Sequence, residues 1–186
     1  MAVARESAIK ITLVGDYVGK TNLISSYLYN KYPEHEIKLC ECYETTISVD
    51  NKEYPVQIQD SPSLEEWEGL RPLLYVNTSC FLMCYSRSQR ATYENIYAKW
   101  LPEIRHKMPH TPIILVATTA DYRARPNEKI VTSSEGKSLQ KQIEAEHYIE
   151  CSAEERKNLK VLFEEAVRCS IKHNTRTTGS KPCILM

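Results

Sequence analysis

The sequence has no excess of either charge. Its 24 Lys and Arg match 24 Asp and Glu across 186 residues, so no global field draws nucleic acid or an acidic substrate to it. It lacks any apolar run near the roughly 20 residues that a membrane-spanning helix needs. No internal repeat and no low-complexity segment is present, and no leader is evident at the start, where Met1 to Ala8 carries Arg5 and Glu6. Nor are the cysteines even in number. Seven thiols without a secretory leader read as the reduced cysteines of an intracellular protein. Cys40 and Cys42, with His35 nearby, match no common zinc spacing. A lid with paired arginines, expected of a nucleotide kinase, is also missing. The length suits one domain with a sizeable core.

One stretch stands out against these absences: Gly15-Asp16-Tyr17-Val18-Gly19-Lys20-Thr21, followed by Asn22. It follows the apolar run Ile9 to Val14 and precedes a helical pattern with Leu23, Ile24, Tyr27 and Leu28 on one face. Strand, glycine turn, Gly-Lys-Thr and helix form the context of a phosphate-binding loop. Inward backbone N–H groups make a nest for anionic oxygens, and the helix N-terminus adds partial positive charge. Lys20 would reach the outer phosphates, and the Thr21 hydroxyl would hold Mg²⁺. The plain alternative is a strand-to-helix turn whose glycines serve the backbone alone. The loop is also short. Three residues, Asp16, Tyr17 and Val18, lie between its glycines where the usual pattern has four.

The remaining chain alternates strand and helix patterns. Tyr29 to Tyr43 reads as loop. Thr45 to Val49 and Val56 to Asp60 alternate with period two around the turn Asp50-Asn51-Lys52 and predict a hairpin. Ser61 to Gly69 reads as an acidic loop. Cys80 to Tyr85 and Pro112 to Val116 are buried strands, and His147 to Cys151 is a short last one. Helices are expected over Ala91 to Lys107, where Tyr93, Ile96, Tyr97, Trp100 and Ile104 form the inward stripe, over Glu135 to Glu146, and over Lys157 to His173. Ala120 to Ser134 reads as loop. Residues 174–186 read as a mobile tail after a domain spanning 1–173. The pattern predicts an α/β sandwich of the phosphate-loop nucleoside-triphosphatase (P-loop NTPase) type: a mostly parallel six-stranded sheet flanked by helices, with one antiparallel hairpin at its edge. A ligand then belongs at the carboxyl ends of the strands, beside the loops after Val14, Asp60, Val116 and Cys151.

From about Ile9 to Ile171 the chain resembles a small GTPase of the Ras superfamily, of the Rho/Rac branch. The most specific stretches are Leu70-Arg71-Pro72-Leu73 with Tyr75, Ala98-Lys99-Trp100, Pro102-Glu103-Ile104-Arg105-His106, Thr111 to Val116, and Glu150-Cys151-Ser152-Ala153. The resemblance implies GTP or GDP with Mg²⁺ as ligands. Asp60 matches the Asp that supports Mg²⁺ through water. Tyr32 matches an aromatic that packs edge-on at the base. Thr118-Thr119-Ala120-Asp121 matches the base-reading loop, with Asp121 accepting from guanine N1 and N2. Ser152-Ala153 matches the loop whose backbone N–H meets the guanine carbonyl; a helix N-cap is the plain reading of Ser152.

Several positions depart from the family. Ser63 stands for the glycine whose N–H senses the γ-phosphate, and Leu64 for the glutamine that orients the attacking water. Thr119 replaces the lysine whose stem stacks on the base. Glu36, Ile37, Lys38 and Leu39 supply no threonine for the first switch loop, and the helical insert of the Rho branch is shortened. Tyr17 and the short loop are expected to crowd the γ-phosphate region, and Leu64 cannot position water. Hydrolysis is therefore expected to be slow or absent, with a bias toward the GTP-bound state. Effector and exchange proteins would dock through Ile37–Val49 and Ser61–Tyr75. Cys183-Ile184-Leu185-Met186 fits a prenylation signal on Cys183. The expected setting is the cytoplasmic face of a membrane, with part of the protein cytosolic, because a single lipid chain binds reversibly. A monomer is the default. The alternative is a prenylated pseudo-GTPase scaffold that binds partners without nucleotide.

Overall fold

The computed structural model describes residues 8–33, 41–119 and 129–178. Six strands form one sheet: β1 (Ile9–Val14), β2 (Cys42–Val49), β3 (Lys52–Asp60), β4 (Cys80–Ser86), β5 (Ile113–Thr118) and β6 (His147–Glu150). Their order across the sheet is β2-β3-β1-β4-β5-β6. Only the β2–β3 pair is antiparallel; β1 lies parallel to β3 and β4, and β5 parallel to β4 and β6. The fold expected from the alternation of elements is the one observed.

β4 shows why the centre is so apolar. All seven of its residues are buried. Cys80, Leu82 and Cys84 face one side of the sheet, and Phe81, Met83 and Tyr85 face the other, as the period-two geometry of a strand requires. The first face packs under helices α1 (Lys20–Tyr29) and α5 (Leu159–Thr178), with Leu23, Ile24, Leu162, Phe163 and Val167 inward. The second packs under α2 (Arg90–Asn95), α3 (Leu101–Lys107) and α4 (Ser133–Gln142). Each fully buried large side chain contributes about 1.5–3 kcal/mol, so two covered faces give a central strand that anchors everything attached to it.

Several boundaries move from their expected places. β2 starts at Cys42 and β3 at Lys52, so the hairpin loop is Asp50-Asn51 alone; both have positive φ, 50° and 61°, as a tight two-residue hairpin turn demands. The acidic loop contains a short 3₁₀ turn at Glu65–Trp67, and a second follows it at Arg71–Tyr75. α4 starts two residues early, at Ser133, because Thr132 and Glu135 form a reciprocal capping box. α5 runs on through Thr178, so the first residues of the expected tail are helical.

Between α2 and α3 the chain makes a π-helical turn at Ile96–Trp100. Pro102 has no N–H to offer the carbonyl four residues earlier, and the hydrogen-bond ladder widens in the turn before it. Ile96, Trp100 and Ile104 are consequently buried at intervals of four, while Tyr97, expected on the inward stripe, is exposed.

Candidate functional site

The loops after β1, β3, β5 and β6 meet at one end of the sheet, as expected. The phosphate loop starts with Gly15 at φ 137°, where a Cβ would stand 2.2 Å from the Cys84 carbonyl oxygen of β4. Only glycine fits there, and the fit sets the loop directly on the central strand. Gly19, at φ 80°, caps α1 in the left-handed region, and its carbonyl accepts from the Leu23 N–H.

Lys20 is 5% exposed. Its ammonium donates to the Gly15 carbonyl (2.9 Å), the Asp16 carbonyl (2.9 Å) and the Ser63 hydroxyl (2.6 Å). Burial lowers its pKa, and the nearby Asp60 carboxylate opposes that fall. Thr21 Oγ1 donates to Asp60 Oδ2 at 2.5 Å. Two oxygens side by side at the head of a phosphate loop suit a small hard cation, which takes one or two protein oxygens and completes its shell with phosphate and water. Thr21 and Asp60 therefore fit the Mg²⁺ role assigned to them. Among the described residues no cluster of three or more His, Cys, Asp or Glu offers a separate metal site.

The Asp16 side chain reaches the helical segment after β4. Its carboxylate accepts from Asn95 Nδ2 at 2.8 Å and Trp100 Nε1 at 3.3 Å. Trp100, read from sequence as plain core, thus also holds the phosphate loop. Its ring lies under the Arg71 guanidinium, 4.7 Å from the centroid. Arg71 is fully buried. It donates to the Pro62 and Leu64 carbonyls, both at 2.8 Å, and pairs with Glu103 at 2.6 Å. The Tyr75 hydroxyl donates to the other Glu103 oxygen at 2.5 Å, and burial with that carboxylate pushes the Tyr75 pKa well up. Arg71, Asn95 and Glu103 have no catalytic spacing in sequence. The signal that could have found Arg71 is an arginine directly before a proline, in a stretch otherwise apolar.

Tyr17 is 81% exposed and makes none of the contacts around Lys20. The side chain that comes against the lysine is Ser63. Leu64 is 58% exposed; it presents no polar atom beyond its backbone, whose carbonyl Arg71 already holds.

A cavity of about 80 Å³ lies at the other end of the loop, lined by Val18, Gly19, Asn22, Tyr32, Thr118 and Ala153, with Leu23, Thr119 and Glu154. Asn22 Nδ2 donates to the Tyr32 hydroxyl at 3.0 Å, which fixes the ring at its mouth. Thr119 has φ 57°, and its hydroxyl donates to the Thr118 carbonyl at 2.6 Å. Ser152 is buried, its Oγ accepts from the Glu155 N–H at 2.9 Å, and its own N–H donates to the Lys157 carbonyl. It caps a turn, and of the pair Ser152-Ala153 it is Ala153 that lines the cavity. A wider hollow of about 430 Å³ lies elsewhere, between β6, α4 and the start of α5, and shares none of these residues. Asp121, residues 34–40 with Ile37 and Lys38, and Cys183 lie outside the described residues.

The structure therefore brings together Gly15 to Asn22, Tyr32, Asp60, Thr118 and Ala153 at the ends of four strands, a cleft with a cationic end and an aromatic-edged end. Residues 10–172 match the Ras family. The chain is 43% identical over 180 residues to "Ras-like GTP-binding protein RhoL" of Drosophila melanogaster, covering 96% of this chain and 94% of that one. It is 37% identical over 175 residues to "Rho-related protein racC" of Entamoeba histolytica, covering 88% and 90%. The chain belongs to the Ras family, and within it to the Rho/Rac-like small GTPases.

Proposed function

We propose that the protein is a guanine-nucleotide-binding switch whose own hydrolysis is slow or absent. The observation that carries this reading is the grouping of Lys20, Thr21 and Asp60 at one end of a cleft whose other end is edged by Tyr32, Thr118 and Ala153. Mg²⁺, when bound, would neutralise charge on the outer phosphates. The step that fails is the placing of water. Leu64 has neither donor nor acceptor in its side chain, and an arginine supplied by a partner works together with the glutamine missing here. Cells hold more GTP than GDP, so slow hydrolysis favours the triphosphate state.

The switch would signal to effector and exchange proteins through Ile37–Val49 and Ser61–Tyr75, in actin organisation, polarity or trafficking. Leu64, Leu70 and Leu73 are exposed on the second of these segments, which suits a protein-docking patch. Prenylation at Cys183 would tether the chain reversibly to the cytoplasmic face of a membrane.

A second reading, the scaffold without nucleotide, is favoured by one observation: protein atoms already take every donor of Lys20. Purifying the protein, denaturing it and chromatographing the released nucleotide separates the two. Bound GTP or GDP near one per chain supports the switch; an empty protein supports the scaffold. Single-turnover hydrolysis then tests Leu64, and a rate like that of a family member with the glutamine overturns that part.

A further inference from the structure

β6 closes one end of the strand order, so one of its flanks has no neighbouring strand. It is also the shortest strand, His147–Glu150. The Cys151 N–H, just past it, donates to the Ala117 carbonyl of β5. Successive residues of a strand turn their main-chain groups to opposite flanks, so His147 and Ile149 also bond to β5, and Tyr148 and Glu150 turn theirs outward. Asn158 Nδ2 takes the Glu150 carbonyl at 2.8 Å. That leaves the Tyr148 N–H and carbonyl and the Glu150 N–H with no partner among the described residues.

The hollow of about 430 Å³ opens on this edge, with α4 on one side and the start of α5 on the other. Its frame is fixed. The Tyr148 ring lies so close to α4 that a Cβ at Gly136 would stand 2.3 Å from it, and its hydroxyl meets Tyr85 and Glu150 at 3.1 and 2.9 Å. Two backbone bonds between Ser152 and Lys157 close the other side. Glu150 is the one acid lining the hollow, and Tyr148 and Arg87 occupy its two oxygens. The lysines there are not so engaged. Lys137 on α4 and Lys157 just before α5 are exposed, and neither ammonium makes a salt bridge or hydrogen bond among the described residues. Ile149 and the exposed Val161 add apolar surface.

We propose that this edge is a docking surface for an extended acidic segment of a partner protein, added as a strand along β6. The surface is separate from the nucleotide cleft and does not depend on what the cleft binds. An added strand sends alternate side chains to opposite faces. Tyr148 packs with the residues under α4, and Ile149 with those under α5, so neighbouring residues of the added strand face Lys137 and Lys157 in turn. Two adjacent carboxylates meet both lysines, and an apolar residue two positions on meets Val161, a turn beyond Lys157. Charge disfavours a second copy as the occupant: pairing β6 with β6 gathers lysines against lysines, and like charges across a strand pair are destabilising. The same lysines guard a short edge against indiscriminate pairing. Because the frame is fixed beforehand, the protein loses little freedom when the segment docks.

The test uses the full chain and a labelled peptide of about six residues, an ordinary strand length, with two adjacent glutamates at its centre and a valine at each end. Fluorescence anisotropy reads binding, and amide hydrogen exchange reads the edge. Saturable binding is expected, with slowed exchange at the Tyr148 and Glu150 amides. Lys137→Glu and Lys157→Glu together should leave unfolding unchanged and weaken binding about tenfold, the scale of two exposed ion pairs lost and reversed. Two changes to the peptide read the same contacts on the unmodified chain. Glutamines in place of the glutamates should weaken binding by a similar factor, and N-methylation of alternate peptide amides should remove the protection of the edge. Absence of binding overturns the proposal, and so does equal binding by the double variant or by the glutamine peptide. Binding that leaves the Tyr148 and Glu150 amides unprotected, or that survives N-methylation unchanged, overturns it by excluding strand addition. A concentration-dependent dimer that protects the same amides overturns it too, by making the occupant a second copy of the chain.

Discussion

The two ends of the cleft are built differently. At the phosphate end Lys20, Thr21, Asp16 and Arg71 all have partners within the chain, and two of them, Lys20 and Arg71, are buried. At the base end the walls are Tyr32, Thr119 and Ala153 around a small cavity, with one tyrosine ring fixed by Asn22. The phosphate end is therefore preorganised by the interior, and its shape depends on residues some distance from any ligand. The base end depends on the few atoms that would touch a base. Substitutions should consequently act through stability at one end and through affinity at the other.

The largest expected break in that contrast is Arg71→Ala. It strips the Pro62 and Leu64 carbonyls of their donor and leaves Glu103 without its cation. Breaking a buried pair from one side costs about 3–5 kcal/mol, measurable by urea unfolding, and amide exchange in the loop after β3 should rise with it. Asp16→Ala is smaller. It releases Asn95 and the Trp100 N–H and should cost about 1.5–3 kcal/mol, the worth of hydrogen bonds to a charged group; equilibrium unfolding reads it, and a loss under half a kcal/mol would count against the tether.

At the base end, Thr119→Lys should leave unfolding nearly unchanged and raise guanine-nucleotide affinity about fivefold, about 1 kcal/mol of stem packed on the ring. Titration calorimetry checks it, and a large change in stability would erase the contrast. The smallest effect is expected far from the cleft. Hydrogen bonding to the Thr132 N–H, then to the Arg90 and Thr132 side chains, lowers the Glu135 pKa to about 2. A carboxylate held below its unfolded value adds stability that is present above the ordinary range and lost as pH falls toward the folded pKa. Glu135→Gln should therefore be less stable than wild type at pH 6, with the gap closing between about pH 4.5 and pH 2.

Much of the fold was legible because burial writes itself plainly. Cys80 to Tyr85 and Ile113 to Val116 are continuous apolar runs, and such runs fit strands covered on both faces. The phosphate loop was legible because Gly15, Gly19, Lys20 and Thr21 are each required by geometry or chemistry at a fixed spacing. The clamp was not. Arg71, Glu103 and Asp16 are charged residues that sequence reasoning places at the surface, and only tertiary structure pairs them. The π turn was missed for a related reason: a stripe read at 3.6 residues per turn puts Tyr97 inside, and the widened turn puts it outside. The start of α4 could have been read, since Thr132 and Glu135 already stand at capping-box spacing. A guanine-reading role for Asp121 is a proposal drawn from the family pattern alone.

The widened turn has a directional consequence. Asn95 and Trp100 stand five positions apart, and in a regular α-helix such residues point about 140° away from one another. Because the segment between them closes with longer rings, the amide and the indole N–H come round to the same side and converge on one carboxylate. The helix's irregularity is thus a grip with two fingers, and a perfectly regular coil in its place would offer the glycine loop only one.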